Sequence, residues 1–587
     1  MKRKLKAIAA VLLVLVMLGS AMPIQLAAEA MTPLTTRYAT PDGYNDHDYQ
    51  KMVAFFEQTD ENGVRNGEKL SEDYDPTDPE TWWEYDDGYW RRRVEWTTVA
   101  GEYRLYEIFF GGSSNDAHPL ELVGFLDVSG CAALEALDCD GNELTELDVS
   151  GCAALEALDC DGNELTELDV SGCTALTGLA CSGNQLTELD VSTNTGLVRL
   201  ACYGNQLTEL DISANAALEE LTCYGNQLTE LDISTNTELV WLYCSENQLT
   251  ELDVSANAAL EDLYCNENQL TELDVSANAA LEGLTCYENQ LTELDISTNT
   301  ELGWLDCSGN QLTELDISTN TELVWLYCSG NQLTELDVSA NAALEDLDCY
   351  ENQLTELDVS ANAALEILNC SGNQLTELDI STNTELVWLY CSGNQLTELD
   401  VSANTELELL YCSGNQLTEL DVSANTELES LSCSENHLTE LDLSNNPRID
   451  IDTISTDGYG FIGVSTKLDE NSESYCCIEA VPVPGNSFCG WYAVDGTLLS
   501  TNVEINRNDF DGVNDFIAKF TASTPGGVGD VDGDGAVRVS DAVLIMRYAL
   551  GLIEFTPEQI LCGDVDGDGF VKVADAVMVI RIALGLV

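Results

Sequence analysis

The sequence predicts a repeat solenoid of stacked coils with two parallel β-sheets, followed by a small β-rich module and an α-helical tail. Three observations carry this. From Val123 the chain repeats every 21 residues, and LTELDISTNTELVWLYCSGNQ, starting at Leu312, is one unit. Each unit is itself double, because an eleven-residue half and a ten-residue half both follow LxxLx(C/V/I)SxN. Two near-copies of an Asp-rich stretch close the chain, GDVDGDGAVRVSDAVLIMRYALG and GDVDGDGFVKVADAVMVIRIALG.

Fifteen full units run from Val123 to His437, and a half unit follows from Leu438 to Arg448. Within segments such as LWLYC, Leu and Cys alternate with outward residues, which is the period of a strand. No coil can bury its apolar edge alone, so stacking must make the core continuous. Two such segments per coil predict two parallel sheets on opposite sides. With strands about 4.8 Å apart, the coils would extend roughly 70 Å. The pattern resembles the bacterial 21-residue leucine-rich repeats, with their nested ten-plus-eleven period, over residues 123–448.

Two inward Asn columns follow from the same period. One starts at Asn142 and runs to Asn436; the other starts at Asn194 and runs to Asn446. An inward Asn can bond the backbone groups left open where a coil turns. Cys131, Cys152 and Cys173 take the second Asn position in the first coils, as small buried thiols. Of the 22 cysteines, 15 fall on one lattice from Cys139 to Cys433. That regularity marks a structural position. Catalysis or soft-metal binding needs an asymmetric site, which a column of identical neighbours lacks. Parallel Cβ directions argue against disulfides along the column, although coil spacing alone permits them.

The two faces differ. Glu146 and Asp148 begin acidic columns that run to Glu440 and Asp442. A solvated acidic face that suppresses edge pairing is favoured over a weak divalent-cation surface, since hard-cation sites need several oxygens on a curved loop. The other face varies and carries Trp241, Tyr243, Tyr264, Trp304, Trp325, Tyr327, Trp388, Tyr390 and Tyr411. Asp346 and Asp348 interrupt the series, and Tyr203, Tyr224, Tyr287 and Tyr350 stand at the adjoining turn. Exposed aromatics in a row suit a protein or glycan ligand. Stacking between coils that merely stiffens the sheet is the competing reading.

Residues 1–30 read as a signal peptide, with Lys2, Arg3, Lys4 and Lys6 before an apolar run from Ala7 to Leu18 and a cleavage site after Ala30. The run is short for a bilayer span, so an uncleaved anchor ranks below cleavage. Secretion, without membrane insertion of the mature chain, is the expectation. Residues 31–122 contain a helix expected over Asn45–Gln58 and a cluster of Trp82, Trp83, Trp90 and Trp96. They resemble the N-terminal cap of leucine-rich-repeat proteins, which covers the first coil. Residues 449–523 carry GNSFCGWYAVDGTLLS and DFIAKF. Phe488, Gly490, Trp491, Tyr492, Gly496 and Phe520 resemble the small β-rich modules of bacterial surface proteins. The pairing of Cys476, Cys477, Cys489 and Cys562 stays open.

The tail, 524–587, has loop chemistry. Asp530, Asp532, Asp534, the Ala536 carbonyl and Asp541 stand at positions 1, 3, 5, 7 and 12. Asp564, Asp566, Asp568, the Phe570 carbonyl and Asp575 repeat them. Gly535 and Gly569 permit the sharp turn. This spacing wraps six to eight oxygens around one Ca²⁺, giving two ions in all. The duplicated loop and helix, with Asp for Glu at position 12 and no entering helix, resemble the dockerin type I F-hand pair. Arg538 and Lys572 stand at position 9, where that family often has Asn, which puts the water-mediated ligand in doubt. The resemblance implies Ca²⁺-dependent binding to a cohesin of a scaffoldin. It places partner contacts at Val539, Ser540, Met546 and Arg547, and at Val573, Ala574, Ile580 and Arg581. Two similar copies suggest two binding orientations.

With 105 acidic against 21 basic residues, the net charge is −84 at pH 7, which excludes nucleic acid and anionic membrane surfaces as partners. The 44% hydrophobic content and strict apolar period argue for packing over disorder. The expected function is therefore a secreted, non-catalytic, cellulosome-type component whose solenoid binds a protein or glycan during polysaccharide degradation. Two alternatives stand beside it. A glycoside-hydrolase subunit would need paired carboxylates in unequal environments, which the repeated columns do not supply. Only His47, His118 and His437 are present, and none belongs to a recognisable triad. An internalin-like surface adhesin would need attachment through a surface-held scaffold.

Overall fold

A computed structural model of the chain describes residues 38–86, 89–111, 120–433, 435–438 and 445–446, together with the strands between 453 and 521. It also describes 538–550, 552, 571–573, 576–577 and 579–580; the side chains of 83–92, 453–521 and 539–540 are outside the description. The chain forms two compact units, Met1–Leu176 and Thr177–Val587.

In the first unit, helix α1 (Asp46–Phe56) starts where the Asn45 side chain accepts the amides of His47 and Asp48, at 3.2 and 3.3 Å. Tyr49, Met52, Val53 and Phe56 recur at helical spacing and are buried. The Tyr49 ring stacks on Trp82 at 5.4 Å, and Phe55 stacks on Phe110 at 5.7 Å. Helix α2 (Asn66–Leu70) follows. Of the expected Trp cluster, Trp82 is fully buried and Trp96 lies 6.2 Å from it. Asp48 is buried but compensated: Arg104 donates to its two oxygens at 2.6 and 3.1 Å, and the Leu105 amide donates at 3.0 Å.

Strands β1 (Trp83–Asp86), β2 (Tyr89–Val99) and β3 (Glu102–Phe109) form an antiparallel meander. Four strands follow, β4 (Val123–Asp127), β5 (Ala136–Asp138), β6 (Glu143–Asp148) and β7 (Ala157–Asp159). The meander passes directly into the repeat, because β3 pairs in parallel with β5, and β5 with β7. On the other side β4 pairs in parallel with β6. The free edge of β4 is satisfied by two side-chain amides. Gln58 bonds the Phe125 carbonyl and amide at 2.7 and 3.0 Å, and Asn66 bonds those of Val123 at 3.0 and 3.1 Å.

In the second unit β8 (Gly178–Ala180) opens a ladder of three-residue parallel strands, which recur every 21 residues to β20 (Ser430–Ser432). Register is in phase, so Leu242 sits beside Leu221 and Leu263. The central Leu of each strand is buried, and its two neighbours face outward. The opposite side was expected to carry a second parallel sheet. Among the described residues it does so as paired strands only at β4 and β6. From the first coil onward an Asn side chain of the next coil takes the Leu amide at the head of each segment, as at Leu122 and Leu144. The Leu207 amide donates to Asn226 Oδ1 at 3.0 Å, and the Gln227 amide to the Leu207 carbonyl at 2.8 Å. That side is therefore extended and regular, with one direct backbone link per coil.

Most coils turn on a glycine of positive φ, as at Gly204 (64°) and Gly330 (62°). Glu246, Glu267, Glu288, Glu351 and Glu435 hold the same left-handed position. Beyond the coils the backbone forms two small antiparallel sheets. Their strands are β21 (Thr453–Ile454), β22 (Gly460–Leu468), β23 (Ser474–Pro482), β24 (Ser487–Ala493), β25 (Leu498–Ser500), β26 (Glu504–Asn506) and β27 (Phe516–Thr521). One sheet has the order β21-β22-β23-β26 and the other β25-β24-β27. Phe488 pairs with Phe520 across β24 and β27, and Gly490, Trp491 and Tyr492 lie on β24. Gly496 and Cys562, and the side chains of Cys476, Cys477 and Cys489, lie outside the described residues. Helix α3 (Val539–Ala549) opens the described part of the tail.

Candidate functional site

The interior columns are structural. Asn289 Nδ2 donates to the carbonyls of Cys265 and Cys286, both at 3.1 Å, while its Oδ1 accepts the Leu270 amide at 2.9 Å. The second column works differently. Asn278 Nδ2 donates to Val254 and Asn257 carbonyls at 3.1 and 2.8 Å, but its buried Oδ1 has no partner among the described residues. Cys152 and Cys173 donate their thiols to the matching carbonyls of Val128 and Val149, at 3.1 and 3.4 Å. Every described cysteine from Cys131 to Cys433 is a buried thiol with no disulfide. Burial pushes Cys223, Cys265 and Cys328 far above the usual thiol range, which suits packing and not nucleophilic attack.

The acidic columns are exposed, as at Glu209 and Asp211. The Asp has a second task that the charge pattern did not reveal. Asp211 Oδ1 accepts the Ser213 amide at 3.0 Å, and Asp253 accepts that of Ser255 at 2.9 Å. This local bond closes the turn after each segment, and Asp-x-Ser in every coil was its signal. Bonding to the Ser side chain, then to its amide, holds Asp211 below the usual carboxylate range.

The variable face lies on the outward side of the three-residue strands. Trp325 and Trp388 are its most open rings, 43% and 41% exposed. Trp241, Tyr243, Tyr264, Trp304, Tyr327, Tyr390 and Tyr411 are half-buried by their neighbours. Tyr243 meets Tyr264 edge-on at 4.8 Å, and Tyr390 meets Tyr411 at 5.4 Å. Tyr264 reaches Trp304 at 6.0 Å across the coil of Gly283, which has no side chain in the way. The Tyr327 hydroxyl donates to Asp346 at 2.8 Å. Cross-coil stacking and outward presentation therefore coexist on one strip.

In the tail, Asp541 is fully buried at the start of α3, and one of its oxygens accepts the Arg538 amide at 2.8 Å. A buried carboxylate at the head of the exiting helix fits the last ligand of a hard-oxygen loop. Asp530, Asp532, Asp534, Ala536, Asp564, Asp566, Asp568, Phe570 and Asp575 lie outside the described residues, as do Ala574 and Arg581. The two copies share a core of Ala542, Ile545, Val571, Ala576 and Val579, against which Met546 and Ile580 pack. Met546 and Ile580 are thus partly consumed inside the tail. Arg547 and Val573 are exposed, whereas the side chains of Val539 and Ser540 lie outside the description. Val543 and Val577, each two residues after the position-12 Asp, are both 49% exposed. Sequence reasoning passed over this pair, although an apolar residue at the same outward place in both copies was the available signal.

His47, Asp48 and Cys131 bring three ligand atoms within 4.8 Å of one another. Each is otherwise committed. His47 Nε2 pairs with the Ser129 carbonyl at 2.7 Å, Asp48 holds Arg104, and burial pushes the Cys131 thiol up. Among the described residues no helix is long and apolar enough to cross a membrane.

The Dockerin type I domain family matches residues 528–583. The sequence matched no curated protein. The chain is similar to the functional domain of InlJ from Listeria monocytogenes, a structure described as including a cysteine ladder. Identity is 35% over 62% of this chain and 89% of that one, with a TM-score of 0.53. It is also similar to the leucine-rich-repeat protein LIC12759 of Leptospira interrogans, at 27% identity over 55% of this chain and 94% of that one, with a TM-score of 0.51. The chain belongs to the bacterial leucine-rich-repeat proteins of the InlJ kind, and it carries a dockerin type I domain at its C-terminal end.

Proposed function

We propose that the protein is a secreted, non-catalytic binding component that its tail holds on a scaffold. The tail takes two Ca²⁺ ions through Asp530, Asp532, Asp534, Ala536 and Asp541, and through Asp564, Asp566, Asp568, Phe570 and Asp575. It then docks on a cohesin, and the solenoid presents its variable face to a ligand in a polysaccharide-degrading setting. The observation that carries this reading is the coincidence of two Asp-x-Asp-x-Asp-Gly loops with the dockerin match at 528–583. Calcium neutralises the clustered carboxylates and so couples ion binding to folding of the tail. The exposed Val543 and Val577 support a partner surface present once on each copy.

The likeness of the solenoid to the functional domain of InlJ supports reading the repeats as a working part and not as a spacer. Retention of the full chain on immobilised type I cohesin, in calcium and in EDTA, tests the tail. Retention unaffected by EDTA would contradict the proposal. Reducing-sugar release from plant polysaccharides by the purified chain would contradict its non-catalytic part.

A further inference from the structure

We infer that the variable face takes a cationic Lys or Arg side chain of a protein partner, seated in a hollow over Trp304 and Trp325. This rests on the reading that the face binds a ligand, and it names that ligand's chemistry. The hollow measures about 380 Å³, and its walls include Asp262, Glu282, Glu301 and Glu322. Two glycines shape it. At Gly283 other coils carry Trp241, Asp262 or Trp325, but a Cβ there would lie 2.3 Å from Asp262 Oδ1. Its absence lets the Asp262 carboxylate fold over the strand. At Gly303 other coils carry Val240, Glu261 or Val324, and a Cβ would meet nothing closer than 3.8 Å. The space is therefore open for want of a side chain.

The two indoles lie 6.3 Å apart at 70°, so a guest can meet the face of one and the edge of the other. A guanidinium or ammonium over an indole face gains cation–π attraction. The carboxylates have no internal counter-ion. Between Val123 and Asn446 the sequence has one Lys or Arg, Arg199, and it pairs with Glu220 at 3.6 Å. Burial first, then Glu282 and Glu261, hold the Asp262 carboxyl above its usual value, so a cation relieves repulsion already present. A neutral sugar could stack on the indoles but would leave the four carboxylates uncompensated.

The test uses the full mature chain and three probes, a Gly-Arg-Gly-Arg-Gly peptide, its citrulline counterpart and cellohexaose, followed by indole fluorescence and calorimetry. The arginine peptide is expected to bind, with the citrulline peptide about tenfold weaker because it keeps the shape without the charge. Gly303→Val fills the hollow with a side chain that Val240 and Val324 already place in the coil. The pair Glu301→Gln and Glu322→Gln removes charge without adding bulk. Each is expected to weaken the arginine peptide about fivefold or more. Glu356→Gln with Glu377→Gln, in the opposite acidic column, is expected to leave it unchanged. Equal binding of both peptides, or equal weakening by the opposite-column change, overturns the inference. Cellohexaose binding without arginine-peptide binding also overturns it, while the wider reading of the face as a binding surface survives.

Discussion

The amide of Leu270 donates to Oδ1 of Asn289 at 2.9 Å, and this bond separates the two asparagine columns. In the column of Asn289 both ends of the side-chain amide are used. At Asn278, in the other column, only the donor end is. That difference explains where cysteine enters the sequence in place of asparagine. A thiol supplies a donor and has no orphan oxygen to bury, so it suits the second column.

Asn278→Cys should therefore change stability by less than about 1 kcal/mol, whereas Asn289→Cys should cost about 2–4 kcal/mol by leaving the Leu270 amide and two carbonyls short of partners. Cys152→Asn should be close to neutral and Cys152→Ala should cost about 1 kcal/mol. Denaturant unfolding compares them. Equal costs at Asn278 and Asn289 would refute the distinction.

Gln58 and Asn66 stand where a further strand would pair with β4. Gln58→Ala or Asn66→Ala should each cost about 1–2 kcal/mol through half-buried backbone groups left unmet. The double change bares a strand edge, so it should also self-associate. Size-exclusion chromatography over a concentration series reports this, and a strictly monomeric double variant would count against the edge-sealing role.

Burial, then Asp138, raises Asp140 to about 7, and burial raises Asp159 to about 6. An acid with a raised folded-state value binds its proton more tightly when folded. It therefore lowers stability progressively as pH rises from about 4 to about 7. The Ser-bonded Asp column has the opposite sign. Its stabilisation is present above the unfolded value near 3.8 and is lost as pH falls through the depressed folded values. The melting temperature should thus rise on going from about pH 8 to about pH 5.5, then fall steeply in stronger acid. Asp140→Asn with Asp159→Asn should flatten the first rise and spare the second fall. A rise that persists in full in that variant would assign it to the other burial-raised carboxyls, Asp306, Asp346 and Asp348, or to general charge repulsion.

Val543 and Val577 stand at equivalent places in the two copies and are equally exposed. If either copy can face the cohesin, Val543→Asp and Val577→Asp should each leave binding within about threefold of the parent, and the double change should remove it. Calorimetry separates this from a single orientation, in which one of the single changes abolishes binding.

Much of this architecture was legible because the coil obeys a strict period. A 21-residue repeat with Leu and Cys at fixed phase requires stacking, and each expected inward Asn is inward. The reduced second sheet was not legible. The Asn bond to the Leu amide is the same at Leu122, where β4 and β6 pair, and at Leu207, and the hydrophobic pattern from Leu144 on β6 matches that from Leu207 as well. The Asp-x-Ser turn was visible as spacing but was masked by the larger signal of charge. The hollow at Trp304 depends on two glycines in successive coils, and its shape needs three dimensions. In the tail, the expected loop ligands other than Asp541 lie outside the described residues. The partial burial of Met546 and Ile580, and the exposure of Val543 and Val577, follow from how the two copies pack.

On the proposed reading, calcium in the paired loops creates the surface by which this protein is held. Titrating the full mature chain with a type I cohesin in calcium, in EDTA, and with Asp541→Ala and Asp575→Ala together, tests it most directly. Tight one-to-one binding in calcium, abolished by EDTA and by the double change, is the expected result. Binding of equal affinity in all three conditions would mean that calcium does not create that surface.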